Sequence, residues 1–381
     1  MKRKTVLAAI AASAMLVTTA AGQATASVGR MSRICAQPNG RVTDIALSGG
    51  TAYLGGSFTG VKDLKGTTQP RNRLAAIDMK TCDLLPWNPG ADADVYAVEA
   101  SGNTVYVGGA FTQVGGKARS ELAAVDATTG SVLAFNPVVN KPVRSLVAST
   151  DTLYAGGDFT KVNGSNRSRL AAFSLASGAL TSWAPNASGA VYALAISADS
   201  ASIYVGGNFT SLNGKTAYPY MGAVTTGSGA TDTSFQPGAQ FPILALTADS
   251  RGVYAGAGGS GGHLVIWNLD GSLQQPVYQT DGGVQGVAVD GDSLYAGGHF
   301  GNYCIGNTGS GHPFLCDKNL PRKKLFEVSL ATGQLTSWAP SLNSPRGAFA
   351  VVVDPATHQL WVGGDFTKVG STSVAHFAVF S

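Results

Sequence analysis

Charge is scarce in this chain. Lys and Arg number 26 and Asp and Glu 22 among 381 residues, 13% of the total, with a formal net charge of +4. Three of those positive charges, Lys2, Arg3 and Lys4, lie at the extreme N-terminus, so the rest of the chain stands near +1. No Lys/Arg cluster interleaves with aromatics, and the densest basic run, Arg322-Lys323-Lys324, is the length of a solvated turn. That argues against a nucleic-acid reader, which needs a basic stripe. Histidine is also rare: the five residues His263, His299, His312, His358 and His376 contain no i, i+4 pair of the kind a zinc-protease helix uses. The apolar run from Val6 to Val17 is shorter than the ~20 residues that cross a bilayer as a helix.

That run follows three basic residues and ends in small ones, which is the pattern of a secretory signal peptide. Ala24-Thr25-Ala26 places small side chains where a signal peptidase requires them. The expectation is a leader over residues 1–26, an exported monomer, and one domain over 27–381.

Glycine is abundant, at 50 residues, and it is periodic. Seven copies of one strand motif align: Tyr53 to Thr59, Tyr106 to Thr112, Tyr154 to Thr160 and Tyr204 to Thr210 read Tyr-x-Gly-Gly-x-Phe-Thr. A degenerate copy starts at Tyr254, and further copies at Tyr295 and Trp361. Strands that alternate apolar with small or polar residues flank each copy. First strands are expected to start at Val42, Val95, Val143, Val191, Ile243, Val284 and Ala348, giving spacings of 53, 48, 48, 52, 41 and 64 residues. Four strands and their turns fill about that length.

The expected fold is therefore all-β, a seven-bladed β-propeller of four-stranded blades. The seventh copy stops at Ser381 after its third strand, so the segment from Arg33 to Pro38 is expected to supply the missing outer strand and close the ring. An open sheet edge would otherwise invite pairing with other chains.

Four cysteines in an exported chain suggest two disulfides, with three possible pairings. Cys304 and Cys316 share the sixth copy's insertion, where a bridge closing so short a loop contributes roughly 3 kcal/mol. Elimination leaves Cys35 with Cys82.

Chemistry is harder to find. Gly258-Gly-Ser260-Gly-Gly262 matches a serine-hydrolase elbow, and Gly256, Gly258 and Gly261 a dinucleotide fingerprint. Each motif needs a helix to follow, whereas here a strand pattern, His263-Leu-Val-Ile-Trp267, does. The residue after the glycine pair is Ser57, Ala110, Asp158, Asn208, His299 or Asp365, too varied for a shared metal ligand. The reading is a non-enzyme with no cofactor and no metal. The alternative is a carbohydrate-binding or carbohydrate-active propeller using channel acids such as Asp44, Asp92, Asp94 and Glu99.

The Tyr-x-Gly-Gly-x-Phe-Thr strand, with Val162-Asn163-Gly164 and Leu212-Asn213-Gly214 after two copies, resembles the delta-60 type β-propeller repeat family of secreted bacterial proteins. The resemblance spans nearly the whole chain beyond the leader. A lone exported propeller of this size in that family implies a non-catalytic binding protein that induces autolysis of a secreted neutral, thermolysin-like metalloprotease. It also implies a glutamine substrate of transglutaminase. Gln37, Gln69, Gln274 and Gln275, each at or near a proline, are the acceptors expected on that basis.

In a four-stranded blade, the connection between second and third strands and the connection to the next blade emerge on one face. The long polar segments fall there, so that face is expected to bind the partner. Arg71, Arg119, Arg167, Tyr218, Tyr303 and His312 are the expected contacts, because Arg and Tyr join wide contact area to directional bonds.

Overall fold

The computed structural model describes residues 29–305 and 318–381. The expected leader, His312 and Cys316 with its expected bridge to Cys304 lie outside them. All described regular structure is β, and no helix of the described residues is long and apolar enough to cross a membrane.

Each sequence repeat folds as an antiparallel meander. In the second, Val95–Ser101 pairs with Thr104–Gly109, which pairs with Leu122–Asp126. Six of the seven expected first-strand starts coincide with the observed ones, and the seventh, expected at Val191, begins at Ala190. Consecutive inner strands pack side by side from Val42–Ser48 round to Ala348–Val353, and those two also touch each other. The strand joining the last sheet is not the expected segment from Arg33 to Pro38 but Met31–Arg33, with Met31 opposite Phe380 and Arg33 opposite Val379, because Gln37–Pro38 pairs instead with Gly60–Lys62 of the first repeat.

The fourth strands are shorter than expected. In five repeats they shrink to single bridges, such as Ile77 with Leu84 and Val125 with Val132, and in the sixth to Gln334–Leu335. Their aromatic residues explain why so little ladder suffices. Trp87, Phe135, Trp183, Phe235 and Trp338 each meet the motif tyrosine of their own repeat edge-on, with centroids 4.9 to 5.5 Å apart. The indoles of Trp87 and Trp183 also donate to the carbonyls of Asp126 and Thr225, in the third strand of the following repeat. Aromatic packing and one indole hydrogen bond replace the missing backbone pairs.

The core consists of layers between neighbouring meanders. One cluster joins Tyr53, Leu74 and Trp87 of the first repeat to Val95, Val107 and Phe111 of the second. The motif glycines make that approach possible: a Cβ on Gly108 would stand 2.7 Å from Val143 Cγ1, and on Gly109 2.2 Å from the Asp94 carbonyl oxygen. The Phe of the motif is fully buried in each complete copy, as at Phe58, Phe111 and Phe159. Cys35 and Cys82 are bonded to each other, tying the N-terminal segment to the turn after the first repeat's third strand.

Candidate functional site

One irregularity recurs in every inner strand. Val42 pairs with Gly56 and Asp44 with Gly55, which leaves Thr43 as an extra, unpaired residue. The same shift leaves Tyr96, Arg144, Tyr192, Leu244, Gln285 and Phe349 unpaired. A bulge re-aims the side chain it carries. All seven of these side chains line one cavity of about 850 Å³ enclosed by the inner strands. Each bulge lies at the start of its strand, on the side of the long connections, so the seven residues form a collar at that mouth.

The collar is pre-arranged. Arg144 lies between two rings, 5.4 Å from the Tyr96 centroid and 5.5 Å from Tyr192, and its guanidinium binds both oxygens of Asp158 at 2.7 to 2.9 Å. Arg41 stacks over Phe349 at 5.1 Å. Such cation–ring contacts fix the long side chains before any ligand arrives. Gln285 contributes an amide oxygen that is shielded from solvent without a hydrogen-bond partner.

Below the collar, Asp44 and Glu99 line the same cavity. Burial pushes the Asp44 carboxyl up to about 7, against the pull of the Val98 and Ile45 N–H groups. Burial likewise pushes Glu99 up to about 8, where the Ala148 N–H opposes it and the Asp44 charge adds to it. Both side chains keep part of their surface open to the channel while protein encloses them on every side. Near neutral pH each therefore holds a proton for part of the time, so it can donate as well as accept hydrogen bonds. Of the other acids expected there, Asp92 is exposed and receives the Thr112 and Gln113 N–H groups, as a turn carboxylate does. Asp94 does not line the cavity.

A second ring surrounds the mouth. Arg73, Glu121, Arg169, Tyr220, Lys324 and His376, each just before a third strand, hold positive φ values of 62 to 80°. Non-glycine residues occupy that region at a cost and cluster at functional positions. Glu121 has a shielded Oε2 without a partner, and burial, with Asp92 nearby, pushes its carboxyl up to about 7. No signal in the sequence marks these residues, because their chemistry varies while their backbone repeats.

The expected contact residues are placed differently from one another. Arg71, Arg119 and Arg167 occupy equivalent sites, and each donates to the carbonyl of the preceding residue and to one 14 residues on, Leu85, Leu133 or Thr181. Arg322 repeats the arrangement with Pro321 and Thr336. These guanidiniums clamp loop to outer strand. Tyr218 is buried among Leu212, Val224 and Phe209, and Tyr303 is half-buried against Tyr278 and Phe326.

Among the glutamines, Gln37 donates to the Cys35 carbonyl and accepts from the Ala375 N–H. Gln69 donates to Asp63 and Gln274 to Asn268. Gln275 is exposed.

No protein-family model matches the chain, and no curated protein matches it. Among solved structures, the WD40 β-propeller domain of Doa1 superposes with a TM-score of 0.62 and 10% identity, over 93% of this chain and 97% of that one. At that identity the likeness concerns architecture alone, and with the strand order above it makes this chain an all-β protein of β-propeller fold.

Proposed function

We propose that this chain is an exported, non-catalytic binding propeller of seven blades, closed by its N-terminal strand, which engages a secreted protein at the mouth of its channel. The observation that carries the reading is the collar. One backbone bulge recurs in all seven inner strands, and seven side chains of differing size and polarity project from it around a single opening. A scaffold uniform in backbone and varied only at one rim is organised for recognition. Tyr96, Arg144 and Tyr192 give that rim an aromatic and Arg centre, the residue types that dominate binding energies.

Ring closure is supported by the contact between the first and last inner strands and by the pairing of Met31 with Phe380. Export is supported by the Cys35–Cys82 disulfide, which suits an oxidising compartment.

Resemblance to the dispase autolysis-inducing protein names the partner as a thermolysin-like metalloprotease, and the modifying enzyme as a transglutaminase. Incubating the purified protein with such a protease, and following the protease's own band, tests this. Faster autolysis that Arg144→Ala slows supports the reading, and an unchanged rate removes it.

A second reading rests on Asp44 and Glu99. Two carboxyls held near neutrality in one cavity, beneath aromatic rings, suit a sugar. Turnover or binding of a glycan that Glu99→Gln abolishes would favour it.

A further inference from the structure

The near-zero net charge conceals a segregation. The connections between second and third strands carry an exposed lysine in six of the seven repeats: Lys62, Lys117, Lys161, Lys215, Lys318 and Lys368. All six stand on the face that holds the collar, outside it. The turns of the opposite face carry carboxylates instead, among them Asp78, Asp126, Asp151, Asp199 and Asp270. Hydrogen bonds from their own turns hold each of these below the usual carboxylate range, so they remain charged. The molecule thus has a basic rim on one face and an acidic opposite face.

We propose that the lysine rim docks the protein, collar face down, onto an anionic phospholipid bilayer, in a state that excludes partner engagement at the collar because both use the same face. The residue types argue for a surface recognised by charge density. The neighbouring arginines Arg71, Arg119, Arg167 and Arg322 already donate to backbone carbonyls, so the exposed positive charge is mainly the six lysine ammoniums, which outnumber the exposed carboxylates Asp92 and Asp281 of the same face and act as point charges without bidentate geometry. The lysine-bearing connections at 113–118, 161–166 and 368–373 hold no aromatic side chain, so they offer no platform for stacked bases. Two exposed aliphatic side chains share this face, Leu64 at 48% and Val138 at 57% exposure. They would enter the headgroup layer, where a soluble polyanion offers nothing to receive them. Carboxylates on the far face repel the same membrane, which selects one orientation.

Cosedimentation with vesicles of equal parts phosphatidylglycerol and phosphatidylcholine, against phosphatidylcholine alone, tests the proposal. The protein should pellet with the anionic vesicles only, and raising salt to about 0.5 M should release it, because screening shortens the reach of surface charge. Combining Lys117→Gln, Lys161→Gln and Lys215→Gln should lower partitioning roughly a hundredfold, about fivefold per lysine. Each single change should show its fivefold share if the triple variant folds poorly. Lys80→Gln, an exposed lysine of the opposite face, should leave partitioning unchanged. Absence of binding to anionic vesicles at low salt would overturn the proposal, as would an equal loss from Lys80→Gln. Binding to soluble polyphosphate without binding to vesicles would also overturn it, by making the rim a site for free polyanions.

Discussion

The Asp44 carboxylate accepts the backbone N–H of Val98 at 2.8 Å, joining the inner strands of two adjacent repeats inside the channel. Glu99 does the same one strand further on, accepting the Ala148 N–H at 3.1 Å, and Ser145 accepts the Leu194 N–H at 3.0 Å. Channel side chains therefore stitch blade to blade where neighbouring inner strands share no ladder.

The two carboxyls make stability depend on pH. Their pKa values rise from 3.8 to about 7 for Asp44 and from 4.5 to about 8 for Glu99. Between about pH 4 and 8 the folded state keeps protons that the unfolded chain has released, so their contribution is full below pH 4 and falls as pH rises to 8. Both groups are open in part to the channel, which reduces the loss, and about 1–2 kcal/mol each is expected. Urea midpoints should be higher at pH 5 than at pH 8, and Asp44→Asn with Glu99→Gln should shrink the difference.

Removing the Cys35–Cys82 bridge releases a loop of sequence separation 47. Changing both residues to Ser should cost about 4 kcal/mol by the loop-entropy estimate, seen as a lower denaturation midpoint. An unchanged midpoint would mean that the N-terminal segment is held by its other contacts alone.

Gly108→Ala puts a methyl group against Val143, in the next repeat. Overpacking of this kind costs about 1–3 kcal/mol. Thermal melting should register it, whereas Gly116→Ala, where a Cβ has open space but φ is +70°, should pay only for its backbone conformation.

Arg119→Ala removes hydrogen bonds to the Ala118 and Leu133 carbonyls. A stability loss of about 1–2 kcal/mol is expected, with partner binding unaffected at a temperature where the variant is folded. A binding loss at full stability would instead place Arg119 in the contact surface.

Fluorescent-amine labelling by transglutaminase, followed by peptide mapping, should mark Gln275 ahead of Gln37, Gln69 and Gln274, whose amides are hydrogen-bonded. Labelling of Gln37 first would show that the N-terminal segment detaches.

Repeat positions were legible because burial between meanders demands the same residue types each time: Tyr106, Gly108 and Phe111 recur wherever two sheets must pack. The collar was not legible. Thr43, Tyr96 and Arg144 share a backbone deviation and no chemistry, so aligning residue types cannot reveal it. Arg71, Arg119 and Arg167 illustrate the opposite case, since their recurrence at one repeat position is the mark of a structural clamp. The charge asymmetry escaped because composition sums over faces, while Lys117 and Asp126 are only nine residues apart and lie on opposite sides. The outer strands are less regular than their residue types imply: Trp87 to Pro89 has the residue types of a strand end, yet the Trp87 indole, not its backbone, makes the decisive bond.

The bulge has an evolutionary corollary. Its residue has no cross-strand partner in the ladder and lines the channel, so exchanging it leaves the backbone pairing in place. Seven such places around one opening form a combinatorial alphabet: new specificities can be spelled there one letter at a time while the machinery of folding goes untouched.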